Sequence, residues 1–150
     1  MREQAGSPEA ERMAALAVDL RVTIGQLRRK LREQSNPGDY TWSQKLVLLR
    51  LEREGPATVT ALARAEGVRP QSMGATIATL EAAGLVGGAP DPADGRQTIL
   101  SLTPACREMM AAGRAAREDW LFHAIQAKYA PAELAALEEA VALLKRLVET

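Results

Sequence analysis

The sequence predicts a mainly α-helical fold that carries one small β-hairpin. Three observations predict it. Apolar residues make up 47% of the 150 residues but aromatics only 3%, so the core is built from Leu, Ala and Val, and Ala and Leu are the best helix formers. Apolar positions recur at spacings of three and four over most of the chain, the period of one helix face. That period lapses only after Gly84, where two short extended runs flank a Pro/Asp/Gly cluster.

Taken in order, residues 1–10 mix Gly, Ser, Pro and charges and read as a loose arm. A helix is expected from about residue 11 to 34, with Leu16, Leu20, Ile24, Leu27 and Leu31 on one stripe. Arg21, Arg28, Arg29 and Arg32 take the opposite face. Ser35, Asn36, Pro37, Gly38 and Asp39 then break the helix. Thr41, with Gln44 three residues later, forms a capping-box pattern and opens the second helix. Leu46, Val47 and Leu49 are expected to bury that helix, which ends near Gly55 and Pro56.

Two short helices follow. Thr58 caps the first, which runs through Ala61, Leu62, Ala63 and Ala65, and Gly67 can take the left-handed conformation that ends it. Pro70 suits the first position of the second. Met73, Ile77 and Leu80 are its inward residues, and Gly84 is its stop. Residues 85–89 and 97–102 then read as the two arms of a hairpin with a long tip. Thr103 caps a helix that Pro104 begins and that runs to about Lys128. After Tyr129, Ala130 and Pro131 the last helix repeats Leu134, Leu137, Val141, Leu144 and Val148 as a seam of alternating threes and fours.

The bulk properties set limits on function. The length fits one domain, 1–150. No run of about 18 apolar residues reads as a membrane span, and the first residues lack the apolar stretch of a secretory signal. Cys106 is alone, so no internal disulfide forms. A cytoplasmic protein without a membrane association is expected. The charge balance, 19 basic against 19 acidic residues, lacks the excess of cations that marks many nucleic-acid binders. A neutral total can still hold a basic face. No Gly-rich phosphate loop followed by a helix and Lys, no nucleophile elbow and no HExxH run occurs, so an enzyme is not expected. His123 is the sole histidine, which excludes a multi-His metal site, and no cofactor is expected.

Two short helices joined by a Gly-containing turn can form a helix-turn-helix. A hairpin directly behind them makes the winged arrangement, in which the second helix can enter the major groove while the wing lies along the backbone or minor groove. The runs Val59-Thr60-Ala61-Leu62-Ala63-Arg64, Pro70-Gln71-Ser72-Met73 and Leu80-Glu81-Ala82-Ala83-Gly84-Leu85-Val86 resemble the MarR family of winged-helix regulators. The tip Asp91-Pro92-Ala93-Asp94-Gly95-Arg96, followed by Leu102-Thr103-Pro104, resembles the family's wing and the start of its fifth helix. The resemblance spans nearly the whole chain. It implies a homodimer built from the terminal helices, double-stranded DNA with a palindromic operator as partner, and often a small-molecule or redox signal that changes DNA affinity. The layout is then a winged lobe over 41–102 and a helical dimerisation lobe from 11–34 and 103–149, acting as a transcriptional regulator, most commonly a repressor. The alternative is a winged-helix interaction module that does not bind DNA.

The expected DNA contacts cluster at the start of the second short helix. Pro70 leaves the N–H groups of Gln71 and Ser72 free, and a helix N-terminus attracts phosphate. Gln71 is a donor–acceptor pair suited to adenine. Ser72 and Thr76 are short and polar, and Arg69 precedes the helix as a phosphate contact. Arg96, just past the hairpin tip, suits a narrow minor groove, with Asp91 or Asp94 holding its side chain. The competing reading of each is a solvated turn or helix end.

Three departures from the family pattern stand out. Arg69 replaces the usual Ser or Thr cap, Gly87 and Gly88 stand where basic residues are common, and residues 58–96 are not strongly basic. Extra positive charge must come from Lys45 and Arg50, or from Arg28, Arg29, Lys30 and Arg32.

The long terminal helices are too extensive for the winged core to cover, so a two-fold dimer is expected, with recognition helices about 34 Å apart; the alternative is an intramolecular bundle. Candidate effector-lining residues are Tyr40, Trp42, Trp120 and His123, against plain core or interface packing. Cys106 lies in the first turn of its helix, where a thiol pKa can fall. The competing reading is a small buried residue, because similar proteins commonly hold Gly there and peroxide-sensing members keep their reactive Cys nearer the N-terminus.

Overall fold

The computed structural model describes residues 6–35 and 38–150. Part of the expected N-terminal arm, residues 1–5, and the helix breakers Asn36 and Pro37 lie outside the described residues. The chain divides into two compact units, residues 36–114 and residues 1–35 with 115–150.

The first unit holds the short elements. Helix α2, Trp42–Glu54, opens on Thr41. The Thr41 Oγ1 accepts the Gln44 N–H at 3.2 Å, and the Gln44 Oε1 accepts the Thr41 N–H at 2.8 Å. This capping box satisfies two backbone donors that a helix start otherwise leaves orphaned. Gly55, at φ +88°, ends the helix and donates its N–H to the Leu51 carbonyl at 3.1 Å. The buried face is Val47, Leu48 and Leu51, with Leu46 half-buried. Leu49 does not bury as expected and is 49% exposed. At about 100° per residue it stands some 200° from Val47, on the outer side.

Strand β1, Ala57–Thr58, was not expected as a strand. It pairs antiparallel with β3, Thr98–Leu102, as Ala57 with Leu100 and Thr58 with Ile99. Thr58 then caps α3, Val59–Glu66, accepting the Ala61 N–H at 3.1 Å. Gly67, at φ +67°, closes α3, and Val68 donates back to the Ala63 carbonyl at 3.0 Å; this is the left-handed C-terminal cap that glycine makes without steric cost. Helix α4, Pro70–Ala82, starts on its proline, buries Met73, Ile77 and Leu80, and ends before Gly84, at φ +72°. Leu85 N–H reaches back to the Leu80 carbonyl at 3.0 Å.

Strands β2, Val86–Pro90, and β3 form the hairpin, with Val86 opposite Leu102 and Pro90 opposite Thr98. The sheet is therefore three-stranded, in the order β1-β3-β2. One cluster joins Leu51, Leu62, Leu80, Leu100 and Cys106, each at most 2% exposed, with their neighbours from every element of the unit. Truncating Leu62 or Leu80 to Ala would cost about 2–5 kcal/mol, lost transfer energy plus a cavity.

Helix α5, Pro104–Lys128, runs out of this unit. Thr103 fixes its start twice: its Oγ1 donates to the Gly84 carbonyl at 2.7 Å and accepts the Cys106 N–H at 3.2 Å. Arg114 forks onto both oxygens of Glu52, each at 3.3 Å.

The second unit is helical. Helix α1, Pro8–Gln34, begins earlier than the expected residue 11. Ser7 accepts the Ala10 N–H at 3.2 Å, Pro8 takes the first position, and Glu9 and Glu11 sit near the positive end of the helix dipole. Arg117 of α5 donates to Ser35 Oγ at 2.9 Å. Helix α6, Pro131–Val148, starts with Glu133 Oε1 accepting the Ala130 N–H at 2.9 Å. Neither α1 nor α6 contains a buried residue. Leu16, Ile24, Leu27, Leu134, Val141 and Leu144 of the two expected stripes are all exposed. No helix among the described residues is long and apolar enough to cross a membrane.

Candidate nucleic-acid interface

The site follows from how α4 begins. Arg69 is its N-cap residue in extended backbone and makes no side-chain cap. Met73 supplies the first turn's bond, its N–H reaching the Arg69 carbonyl at 3.0 Å. The start of α4 therefore presents N–H groups that no side chain of the cap position occupies, a setting that favours an anion. Arg69, Pro70, Gln71 and Ser72 are all exposed there. Thr76 is half-buried, and its hydroxyl donates back to the Ser72 carbonyl at 3.3 Å. Arg64 in the last turn of α3 and Arg69 flank the turn between the two helices, and both are exposed. The outer face of α4, by contrast, carries Ala75, Ala78 and Ala82, small side chains that let the helix backbone approach a groove.

The wing tip is organised by local hydrogen bonds. Asp91 N–H donates to the Gln97 carbonyl at 2.9 Å, and Gln97 N–H to the Asp94 carbonyl at 3.0 Å, closing the loop across its base. Asp91 Oδ1 accepts the Ala93 N–H at 2.8 Å, a turn-forming contact. Asp94, not Asp91, meets the Arg96 side chain, at 3.3 Å from Oδ1 to Nε. Arg96 is itself 93% exposed. Gly88 has a steric reason as well as an electrostatic consequence: a Cβ there would lie 2.6 Å from the Thr98 methyl on the facing strand.

The expected extra charge is only partly available. Arg50 does not face outward as a free cation. Its Nε donates to Glu66 Oε1 at 2.6 Å and its Nη1 to Glu54 Oε1 at 2.9 Å, and these bonds, the Glu66 one foremost, raise the guanidinium pKa. Glu66 is the reason: it projects from α3 toward α2, a pairing sixteen residues apart that local spacing does not disclose. Lys45 is half-buried. On α1, Lys30 approaches Glu33 at 3.9 Å, while Arg28, Arg29 and Arg32 are exposed.

Of the effector candidates, Tyr40 is half-buried against the core of the first unit, and Trp42 is 63% exposed at the start of α2. Trp120 and His123 belong to the second unit. Trp120 is half-buried; His123 Nδ1 donates to the Asp119 carbonyl at 2.8 Å, and its ring meets Phe122 edge-on at 5.3 Å. Cys106 is wholly buried, and burial pushes its thiol up from the ordinary 9.0, outweighing the lowering by Arg107.

One contact went unforeseen. Gln44 Nε2 donates to Thr79 Oγ1 at 2.8 Å, joining the start of α2 to α4. The capping pattern marked Gln44, but nothing in the spacing pairs it with a residue 35 positions later.

Comparison with known proteins places this geometry. The MarR family profile matches residues 39–97, the span from just before α2 to the end of the wing tip, stopping short of β3. An HTH-type transcriptional regulator of Mycobacterium tuberculosis is 42% identical over 108 residues, 72% of this chain and 76% of that protein. A counterpart from Mycobacterium leprae is 41% identical over the same shares. Among solved structures, a transcriptional regulator protein from Pseudomonas aeruginosa superposes with a TM-score of 0.78 at 34% identity, covering 93% of this chain and 97% of that one. A MepR variant of S. aureus bound to an oligodeoxyribonucleotide shares the fold, with a TM-score of 0.69 at 16% identity over 89% and 98% of the two chains.

Proposed function

The chain belongs to the MarR family of transcriptional regulators, and from that premise we propose that it binds duplex DNA as a homodimer, with α4 in the major groove and the β2–β3 wing against the minor groove. The relatives it matches are transcriptional regulators and not enzymes. The interaction module without DNA binding is set aside on the same ground.

One observation carries the reading of the site: the exposed start of α4 and the exposed Arg96 of an ordered wing both belong to the same compact unit. In this reading Arg69 and the free N–H groups of the first α4 turn hold phosphate, as does Ser72. Gln71 reads a base edge. Thr76 is a poorer contact than Ser72, since its hydroxyl proton already goes to the Ser72 carbonyl. Arg96, held by Asp94, enters the minor groove, where the potential is most negative. Asp91 shapes the loop that presents it.

The exposed stripes of α1 and α6 support a two-fold dimer, which doubles the recognition helices and calls for a palindromic operator. The regulator acts in this reading as a repressor relieved by a small-molecule signal. Tyr40 just before α2 and Trp42 at its start, or Trp120 and His123 on α5, are the residues through which such a signal would act. A redox signal at Cys106 has less support, because the thiol is buried and its pKa is raised.

Selection of bound duplexes from a random DNA pool tests the proposal. Recovered sequences with two-fold symmetry and half-sites about 10 base pairs apart support it. A chain that enriches nothing, and whose binding to mixed duplex is absent at about 50 mM salt, overturns it.

A further inference from the structure

We propose that Gln44 is a positioning residue for sequence discrimination: its amide ties the start of α2 to the flank of α4 and fixes the rotation at which α4 presents Gln71. The inference rests on the reading of α4 as the recognition helix.

Gln44 is half-buried, and both ends of its amide are engaged. The Oε1 accepts the Thr41 N–H at 2.8 Å, and the Nε2 donates to Thr79 Oγ1, also at 2.8 Å. Thr79 has one hydroxyl proton, and this goes to the Thr76 carbonyl at 2.6 Å. Thr79 must therefore accept from Gln44. The Thr41 N–H must likewise find an acceptor, so the oxygen of the amide faces Thr41 and the nitrogen faces Thr79. The line continues along α4, where Thr76 donates to the Ser72 carbonyl at 3.3 Å, and so ends beside Gln71.

Packing alone does not fix this rotation. Val47, Leu48 and Leu51 of α2 share one apolar cluster with Met73, Ile77 and Leu80 of α4. Apolar contact is non-directional, whereas a hydrogen bond weakens steeply off axis. A recognition side chain must be held to within about 10–20°. Thr79 lies eight residues beyond Gln71, about 80° around the helix, so a bond at Thr79 resists the turning motion that would swing Gln71 off its target. Gln44 itself need touch no base.

The test uses the full chain and two duplexes of equal length, one recovered from a random pool and one with its sequence scrambled. Thr79→Val keeps the shape and the capping box but removes the hydroxyl; Gln44→Met keeps the length but removes the amide. Each lowers the preference for the recovered duplex by about threefold to tenfold, leaving affinity for the scrambled duplex within about twofold. Thr79→Ser, which restores the acceptor, keeps the wild-type preference. The double variant loses no more than the larger single loss, because the two residues act through one bond. Melting followed in parallel keeps the Tm of Thr79→Val within about 3 °C of wild type. Full preference in Thr79→Val overturns the proposal. So does a loss in Thr79→Val that Gln44→Met does not share, which makes Thr79 a direct contact, and so do losses that multiply in the double variant. A wild-type chain that does not distinguish the duplexes overturns the reading of α4 itself, and this inference with it.

Discussion

A single carboxylate oxygen of Asp94 holds Arg96 twice, accepting its backbone N–H at 3.1 Å and its Nε at 3.3 Å. The two residues are separated only by Gly95, so this contact closes within the wing tip. An exposed pair of this kind contributes little to stability. If Arg96 contacts DNA as proposed, ordering its long side chain beforehand would lower the entropy lost on contact. The Arg96 side chain is left 93% exposed.

Arg96→Ala is therefore expected to weaken binding to all duplexes alike, without changing Tm. Removing one phosphate-neutralising charge should also reduce the salt slope of log K by about one. Asp94→Ala should weaken binding less, since the charge remains while its ordering is lost. Anisotropy titrations at several salt concentrations measure both effects. An unchanged slope in Arg96→Ala would remove the wing from the interface.

Gln71→Ala should behave differently. A bidentate amide on adenine discriminates by about 1–3 kcal/mol. The variant should lose that much on the recovered duplex and almost nothing on a scrambled one. Equal losses on both would make Gln71 a backbone contact.

Arg50 is expected to matter for folding and not for DNA. It joins α2 to α3 through Glu66 and braces Glu54 within α2. Arg50→Ala leaves Glu66, only 15% exposed, without that cation, and a part-buried charge deprived of its partner destabilises. The expected result is a lower Tm with an unchanged salt slope for the folded protein. A shallower slope would show that Arg50 contacts phosphate after all.

What the sequence discloses here are the relations that close within a few residues. Thr41 with Gln44, Thr58, Gly67, Pro70, Gly84 and Thr103 mark helix starts and stops through local hydrogen bonds and backbone conformation. Ser7 and Pro8 carry the same kind of signal, masked by the Gly and charges around them, and α1 begins there and not at residue 11. Strand β1 escapes detection because two residues have no period, and Thr58 already serves as a cap. The buried side of α2 departs from the expected one at Leu49 because Leu recurs on both faces, and only the partner elements decide which face turns inward. Arg50 with Glu66 and Gln44 with Thr79 are tertiary contacts, sixteen and thirty-five residues apart, that no local spacing encodes.

Cys106 gives a pH prediction. Its position in the first turn of α5 favours the thiolate, but burial raises its pKa and is the larger effect. A folded pKa above the unfolded value means that folding favours the protonated thiol. That contribution to stability is complete below the ordinary 9.0 and is lost as pH rises through the higher folded value. At neutral pH the thiol should resist mild peroxide, and DNA binding should not change on exposure to it. Cys106→Ser should behave as wild type in the same assay. Loss of binding in the wild type alone would make Cys106 a redox switch.

The dimer prediction turns on α6. Leu134, Val141, Leu144 and Val148 recur along it, and Val148 is 80% exposed and Leu144 37%. With no buried residue anywhere in α1 or α6, these stripes are more apolar surface than a stable monomer usually leaves open. Obligate homodimer interfaces are of this apolar kind. The chain should sediment as a dimer, with a Tm that rises with protein concentration. Val141→Glu places a charge in the middle of the stripe, where burial against a partner would strip its water, and should shift the equilibrium toward monomer. Each monomer then holds one recognition helix, and the avidity gained from engaging two half-sites at once disappears. Affinity for a palindromic duplex should therefore fall by far more than affinity for a single half-site. Sedimentation as a monomer in the wild type would leave the stripes without a two-fold partner, and equal losses on the palindrome and the half-site would mean that Val141 acts on folding and not on assembly.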